Sequence, residues 1–397
     1  MSEFTNNTSK RADDLTMFMQ GLIEGKSGSQ LVKDYNLITE NYIPIDVLSA
    51  FDKMFDAGVD IEELKVASNK LFNILYKTLN SYEEITPKQF SFLYYLKRDN
   101  EAIEHILKKI KPTIKEINQE ITKGIITQLL ESFKELQGID LHYTVKENIL
   151  FPVLENNWND HQCLKLMWSF HDDIRRNLKA TINCLEENDF DLSHFNKVSS
   201  KVFFNIHTII FREEKILFPL MMENIEEDIH DDLLKQTYDM GLPFVEVEYN
   251  LKSRKLKKLT ENNKTIKLET GELSLDQLEM IFKHLPVDIT YVDENNTVKF
   301  YSDPPHRIFP RTSSIIGRKV QNCHPPESVD IVNRIVEAFR KGEKEDASFW
   351  IPMGPKFVLI KYFAVRDSYK TFRGTLEVSQ EISDIKKLEG ERKLLDW

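Results

Sequence analysis

The chain has 397 residues, 41% of them apolar, and a formal net charge of −11. That length exceeds one ordinary domain and predicts two or three, each able to bury a real core. The acidic balance excludes general nucleic-acid binding, the three scattered cysteines (Cys163, Cys184, Cys323) exclude a disulfide framework, and no run is long and apolar enough to span a bilayer. The polar start, Met1 to Asp14, lacks the apolar stretch of a secretion signal, so the expectation is a reduced, cytoplasmic protein.

Helical periodicity comes first. Val47, Leu48, Phe51, Met54 and Phe55 recur at steps of three and four, with Pro44 suited to a first turn and Gly58 to an end. This small module, 15–82, carries no cluster of reactive side chains and reads as a docking or assembly element. Thr86-Pro87 predicts the start of a second helical region. Its helices are expected to break or end near Pro112, Pro152 and Pro219, with a turn at 188–191 and Ser193 as the cap of the last. The run Lys252 to Lys267 holds seven basic residues against one acid and reads as a solvated linker. Beyond it a short helix over Leu278 to Leu285 precedes alternating runs at Val287–Val292, Thr297–Tyr301, Ala347–Ile351, Phe357–Val365 and Phe372–Val378, with helical spacing over Val329–Phe339 between the second and third. Asp293-Glu294-Asn295-Asn296 is hairpin chemistry. The expectation is an α+β sensor-type antiparallel sheet, followed by an amphipathic tail helix over Ile382–Leu395.

The second region repeats itself. Glu147-Asn148-Ile149-Leu150-Phe151-Pro152 and Glu214-Lys215-Ile216-Leu217-Phe218-Pro219 superpose, and Asn100 falls opposite His171. Two such helical hairpins form an up-down four-helix bundle with a metal in its core. Counting at about 1.5 Å per residue places His142, His171 and His207 on one level, with Glu147 and Glu214 below them; His207 and Glu214, two turns apart, share a face. These five are the candidate ligands, and His105 on the first helix is a sixth. Mixed nitrogen and oxygen donors in a bundle favour iron.

These residues resemble the hemerythrin-type His-His-Glu cation-binding family, through the two Leu-Phe-Pro endings and through His171-Asp172-Asp173-Ile174-Arg175. The wider chain resembles bacterial proteins that join a helical domain of unknown function, a hemerythrin-like bundle and a PAS domain. The signatures are Met167 to Arg175, Leu285 to Asp293, Ile316 to Ser328 and Leu388 to Trp397. On that resemblance the chain divides into 15–82, a bundle at 86–225, a linker at 226–272, a PAS domain at 273–382 and a C-terminal helix at 383–397. A full hemerythrin holds two irons through about seven ligands and has a histidine where Asn100 stands here. Asn69 likewise stands where the family tends to show histidine. The resemblance implies a mono- or di-iron sensor of dioxygen, nitric oxide or redox state that signals through a partner protein. Its PAS sheet would take an unknown ligand or pair two copies, with Cys323 and His324 as candidate haem or metal contacts. The alternative is an iron-dependent enzyme or repair protein, donating iron to iron–sulfur centres or removing peroxide or nitric oxide.

Overall fold

The computed structural model describes residues 2–38, 41–82, 86–158, 161–249, 265–268 and 270–391. Two compact units divide at Tyr249 and Asn250. Most of the basic run, 250–264, lies outside the described residues, as does the last part of the tail, 392–397.

The first unit is helical. Helices α1 (Ser2–Ile23), α2 (Gly28–Asp34), α3 (Pro44–Asp56) and α4 (Ile61–Asn80) precede a four-rod bundle. Rod A is α5 (Phe92–Ile117). Rod B is α6 (Lys123–Leu136), α7 (Ile139–Val145), a π turn (Lys146–Leu150) and α8 (Phe151–Asn157). Rod C is α9 (Cys163–Glu186). Rod D is α10 (Leu192–Arg212), a second π turn (Glu213–Leu217) and α11 (Phe218–Asn224), after which α12 (Glu227–Met240) packs on α5. Pro44 does open α3, and Gly58, at φ +73°, follows its end. One apolar core runs continuously from Leu15 to Val247, so α1–α4 share it with the bundle. Two buried cations bridge them: Lys65 of α4 reaches Asp173 of α9 at 2.8 Å, and Arg212 donates to Asn69 at 2.7 Å and Ser68 at 3.2 Å. Arg212 also lies over the rings of Phe170 and Phe72, which suits a weakly hydrated guanidinium.

Several expected breaks are absent. Helix α5 starts at Phe92, capped by Ser91 rather than Thr86, and continues through Pro112. Rods B and D pass Pro152 and Pro219, each of which sits second after a π turn. A proline there begins a fresh α segment, where its missing N–H costs nothing. The cap of α10 is Asp191, not Ser193: its carboxylate accepts from the N–H groups of Ser193 and His194 at 2.8 and 3.0 Å. Asp191→Ala is expected to cost about 1 kcal/mol, read as a lower urea midpoint with unchanged slope.

The second unit opens with a two-stranded hairpin, β1 (Thr265–Leu268) and β2 (Gly271–Ser274), and α13 (Leu275–His284), whose Ser274 and Gln277 form a capping box. A five-stranded antiparallel sheet follows, in spatial order β4 (Val298–Tyr301), β3 (Asp288–Asp293), β7 (Phe372–Glu381), β6 (Lys356–Arg366), β5 (Asp346–Met353). Helix α14 (Pro326–Lys341) packs on β6 and β7. The described part of the tail makes one 3₁₀ turn, Ile385–Lys387, in place of the expected helix. Among the described residues no helix is long and apolar enough to cross a membrane.

Candidate metal centre

The two π turns carry the chemistry. Each adds a residue to its helix, and such insertions recur at functional sites. They begin at Lys146 and Glu213, 67 positions apart, so the repeat pairs these two residues. Both are fully buried and in direct contact. Glu147 and Glu214 are the next repeat partners. His171 meets Glu147 through Nδ1 at 2.8 Å; Asn100, opposite His171 in the repeat, donates to Glu214 at 3.4 Å and to Glu213 at 3.2 Å.

Around that centre the imidazoles are held from behind. His142 Nδ1 is 2.7 Å from Asp99, whose other oxygen accepts the Phe244 N–H at 3.0 Å. The irregular segment that supplies this N–H crosses rod B at Gly138, where a side chain would meet the Phe244 ring at 3.0 Å. Glu147 takes both Nη atoms of Arg175, at 2.8 and 2.9 Å, while Tyr143 stacks on His171 with centroids 4.0 Å apart. A neutral imidazole that donates through Nδ1 to a carboxylate presents Nε2 as a lone pair. His142 Nε2 and His171 Nε2 are buried without a hydrogen-bond partner.

Charge is sorted sharply. Burial, then the Lys146 ammonium, pull the His142 pKa down, so that imidazole is neutral at pH 7. Burial alone would raise Glu213, but Lys146 and the two histidines hold it at about 2. Burial raises Glu214 to about 7 against its bond from Asn100. Glu147 is pushed up by burial and brought below its ordinary value by His171 and Arg175.

The residues of the bundle, 91–221, match the family model of the hemerythrin HHE cation binding domain, and residues 278–383 match that of a PAS domain. The chain carries a hemerythrin HHE cation-binding domain and, C-terminal to it, a PAS domain. No curated protein matches it. Among solved structures it is similar to a C-terminal domain from Streptococcus mutans, at 35% identity over 32% of this chain and 98% of that one, TM-score 0.30. A sensory box sensor histidine kinase from Vibrio cholerae is 12% identical over 26% and 87%, TM-score 0.21. The PAS domain of a Colwellia psychrerythraea protein is 14% identical over 28% and 98%, TM-score 0.22.

Of the six ligands expected from sequence, the HHE bundle brings His142, His171 and Glu147 into one buried cluster, Glu147 as the carboxylate behind His171. Glu214 lies at its rim, on Asn100. His105 is exposed on α5, and His207 is half-exposed on the outer side of α10, 3.8 Å from Glu104. The inward stripe of α10 is Val202, Ile206, Ile209 and then Glu213, one position round from His207 and Glu214. Glu213 was therefore missed by sequence reasoning, although the apolar stripe leads straight to it.

Among the described residues no three histidine, cysteine or carboxylate groups already stand as a ligand set. The donors nonetheless fit one metal ion: two orphaned imidazole nitrogens, each backed by a carboxylate in the manner of metal-bound histidine, with Glu213 at 4.0 Å from His171 Nε2. They do not fit two. Lys146 occupies Glu213, Asn100 replaces an imidazole, and His105 and His207 point elsewhere.

In the PAS domain His324 is half-buried, with Nδ1 2.8 Å from the Val320 carbonyl, and desolvation is the main cause that lowers its pKa. It borders a cavity of about 30 Å³ shared with Tyr362, Thr375 and Glu377. That volume suits a water molecule and does not admit haem. Cys323 lies partly exposed beside it, its Sγ 3.6 Å from the Lys319 carbonyl.

Proposed function

We propose that this chain is a cytoplasmic iron-binding sensory protein, in which the HHE bundle holds a single non-haem iron and the PAS domain passes the state of that site to a partner. His142 Nε2, His171 Nε2 and Glu213 would hold the metal. Two imidazoles and a carboxylate leave coordination positions open, and iron so bound supplies affinity for a small ligand such as dioxygen or nitric oxide. Asp99 and Glu147 fix the tautomer and orientation of the two rings, and Arg175 keeps Glu147 ionised for that purpose. Tyr143 and Phe151 flank His171 and exclude water. The pair of partnerless buried nitrogens is the observation that carries the reading.

The edge strand β5 presents Phe349, Trp350 and Ile351 to solvent, which supports pairing of two copies through the PAS sheet.

Iron per chain and the visible spectrum of protein purified from iron-supplemented cells test the reading. About one iron is expected. His171→Ala and His142→Ala should each lower iron affinity at least about tenfold with the helical circular dichroism retained. Unchanged iron content in both variants would refute the ligand assignment.

A further inference from the structure

A lysine in the middle of a bundle core has no place there on grounds of stability alone. A buried ion pair gains little over well-packed apolar residues of similar size, and Lys146 is fully buried, as is its partner Glu213. Nor does it serve the surface, for its stem is enclosed and its Nζ lies over the Tyr143 ring at 4.6 Å. What surrounds it is informative. His142, one turn earlier on rod B, and His171 both carry a buried Nε2 with no partner, and Glu213 approaches the second of these at 4.0 Å. Asn100 donates to the remaining oxygen of Glu213. Two imidazole nitrogens without a hydrogen-bond partner and a carboxylate thus share one cluster with a buried positive charge, and the charge is an ammonium.

We infer that Lys146 is a built-in cation that competes with metal for Glu213, limiting the bundle to one metal ion and weakening its hold on that ion. The inference rests on the donor set proposed above, and it extends that set to a residue whose removal should improve binding. Met in place of Lys146 keeps the length of the side chain and leaves Glu213 an unpaired carboxylate beside two imidazole nitrogens. Such a cluster gains from a divalent cation what it has lost in the ammonium.

The test is a titration of the full-length protein with Co²⁺ alone, read by its visible absorption and by the shift in melting temperature. Lys146→Met is expected to bind Co²⁺ at least tenfold more tightly than the unaltered chain and to gain a larger rise in melting temperature. Lys146→Met/Glu213→Leu, which removes both charges, is expected to fold and to lose that gain. Co²⁺ affinity of Lys146→Met equal to or below that of the unaltered chain would overturn the inference. If Lys146→Met does not fold by itself, refolding with Co²⁺ decides: recovery of helical signal supports competition, and failure to recover overturns it. The two proposals separate cleanly. An unaltered chain without metal beside a metal-binding Lys146→Met would sink the iron-binding reading alone, whereas equal binding by both would sink this inference alone.

Discussion

Glu213→Leu should destabilise the helical unit by about 3–5 kcal/mol, because it strands the Lys146 ammonium in the core. The loss is not that of an ordinary ion pair. An exposed pair such as Lys88 with Glu227, both largely in water, contributes little because solvent screens it. Lys146 has no solvent to turn to and, apart from Glu213, mainly the face of Tyr143 and more distant carboxylates. Removing the carboxylate therefore leaves most of the desolvation cost of a buried cation uncompensated. The same logic gives the companion result: in Lys146→Met/Glu213→Leu both charges are gone, and stability should return to within about 1 kcal/mol of the starting chain. Urea unfolding at pH 7, followed at 222 nm, measures the cycle, and the coupling between the two sites is the decisive quantity. A single variant within 1 kcal/mol of the unaltered chain would show that Lys146 escapes to water and that the centre is looser than described.

Much of this site was legible before any coordinates, through the repeat. Superposing Glu147 on Glu214 correctly aligned the two π turns, and the opposition of Asn100 to His171 returns in space as matched bonds to Glu214 and Glu147. What one sequence could not show was rotation about the helix axis. Counting at 3.6 residues per turn ranks His207 and Glu214 as neighbours on one face, but it does not say which face looks inward. The burial of Ile206 and Glu213 does. The prolines misled for a related reason. Pro152 and Pro219 read as stops, yet each is the second residue of a new α segment that follows a π turn. In the PAS domain the alternation of apolar residues located all five strands, since a half-buried sheet writes its period of two directly into the chain. The small cavity beside His324 had no such signature, because its volume depends on how Tyr362, Val332 and Val336 pack together.

One glycine of that sheet carries the other large effect. Gly374 sits near the start of β7, the strand between β3 and β6, pairing with Asp293 on one side and Val365 on the other. Its φ is +141°, and a Cβ there would lie 2.1 Å from the Val292 carbonyl oxygen and 3.1 Å from Asp293 Cα. Both are backbone atoms of a paired strand, so neither can rotate away as a flexible side chain would. Relief requires β7 to shift, which breaks ladders on both of its edges. Gly374→Ala is therefore expected to cost the PAS domain more than about 3 kcal/mol, at or beyond the upper end of ordinary substitutions. Gly354, in the β5–β6 turn at φ +57°, is the control: a Cβ there meets nothing within 4 Å, and alanine should cost only about 1–2 kcal/mol. Amide hydrogen exchange on the full-length protein reads both at once. Protection over Asp288–Asp293 and Phe372–Glu381 should collapse in Gly374→Ala and persist in Gly354→Ala, while the HHE bundle, a separate compact unit, keeps its protection in each. Slow exchange across β3 in Gly374→Ala would mean that the sheet tolerates the added methyl and that the close approach of β7 to Val292 does not constrain this fold.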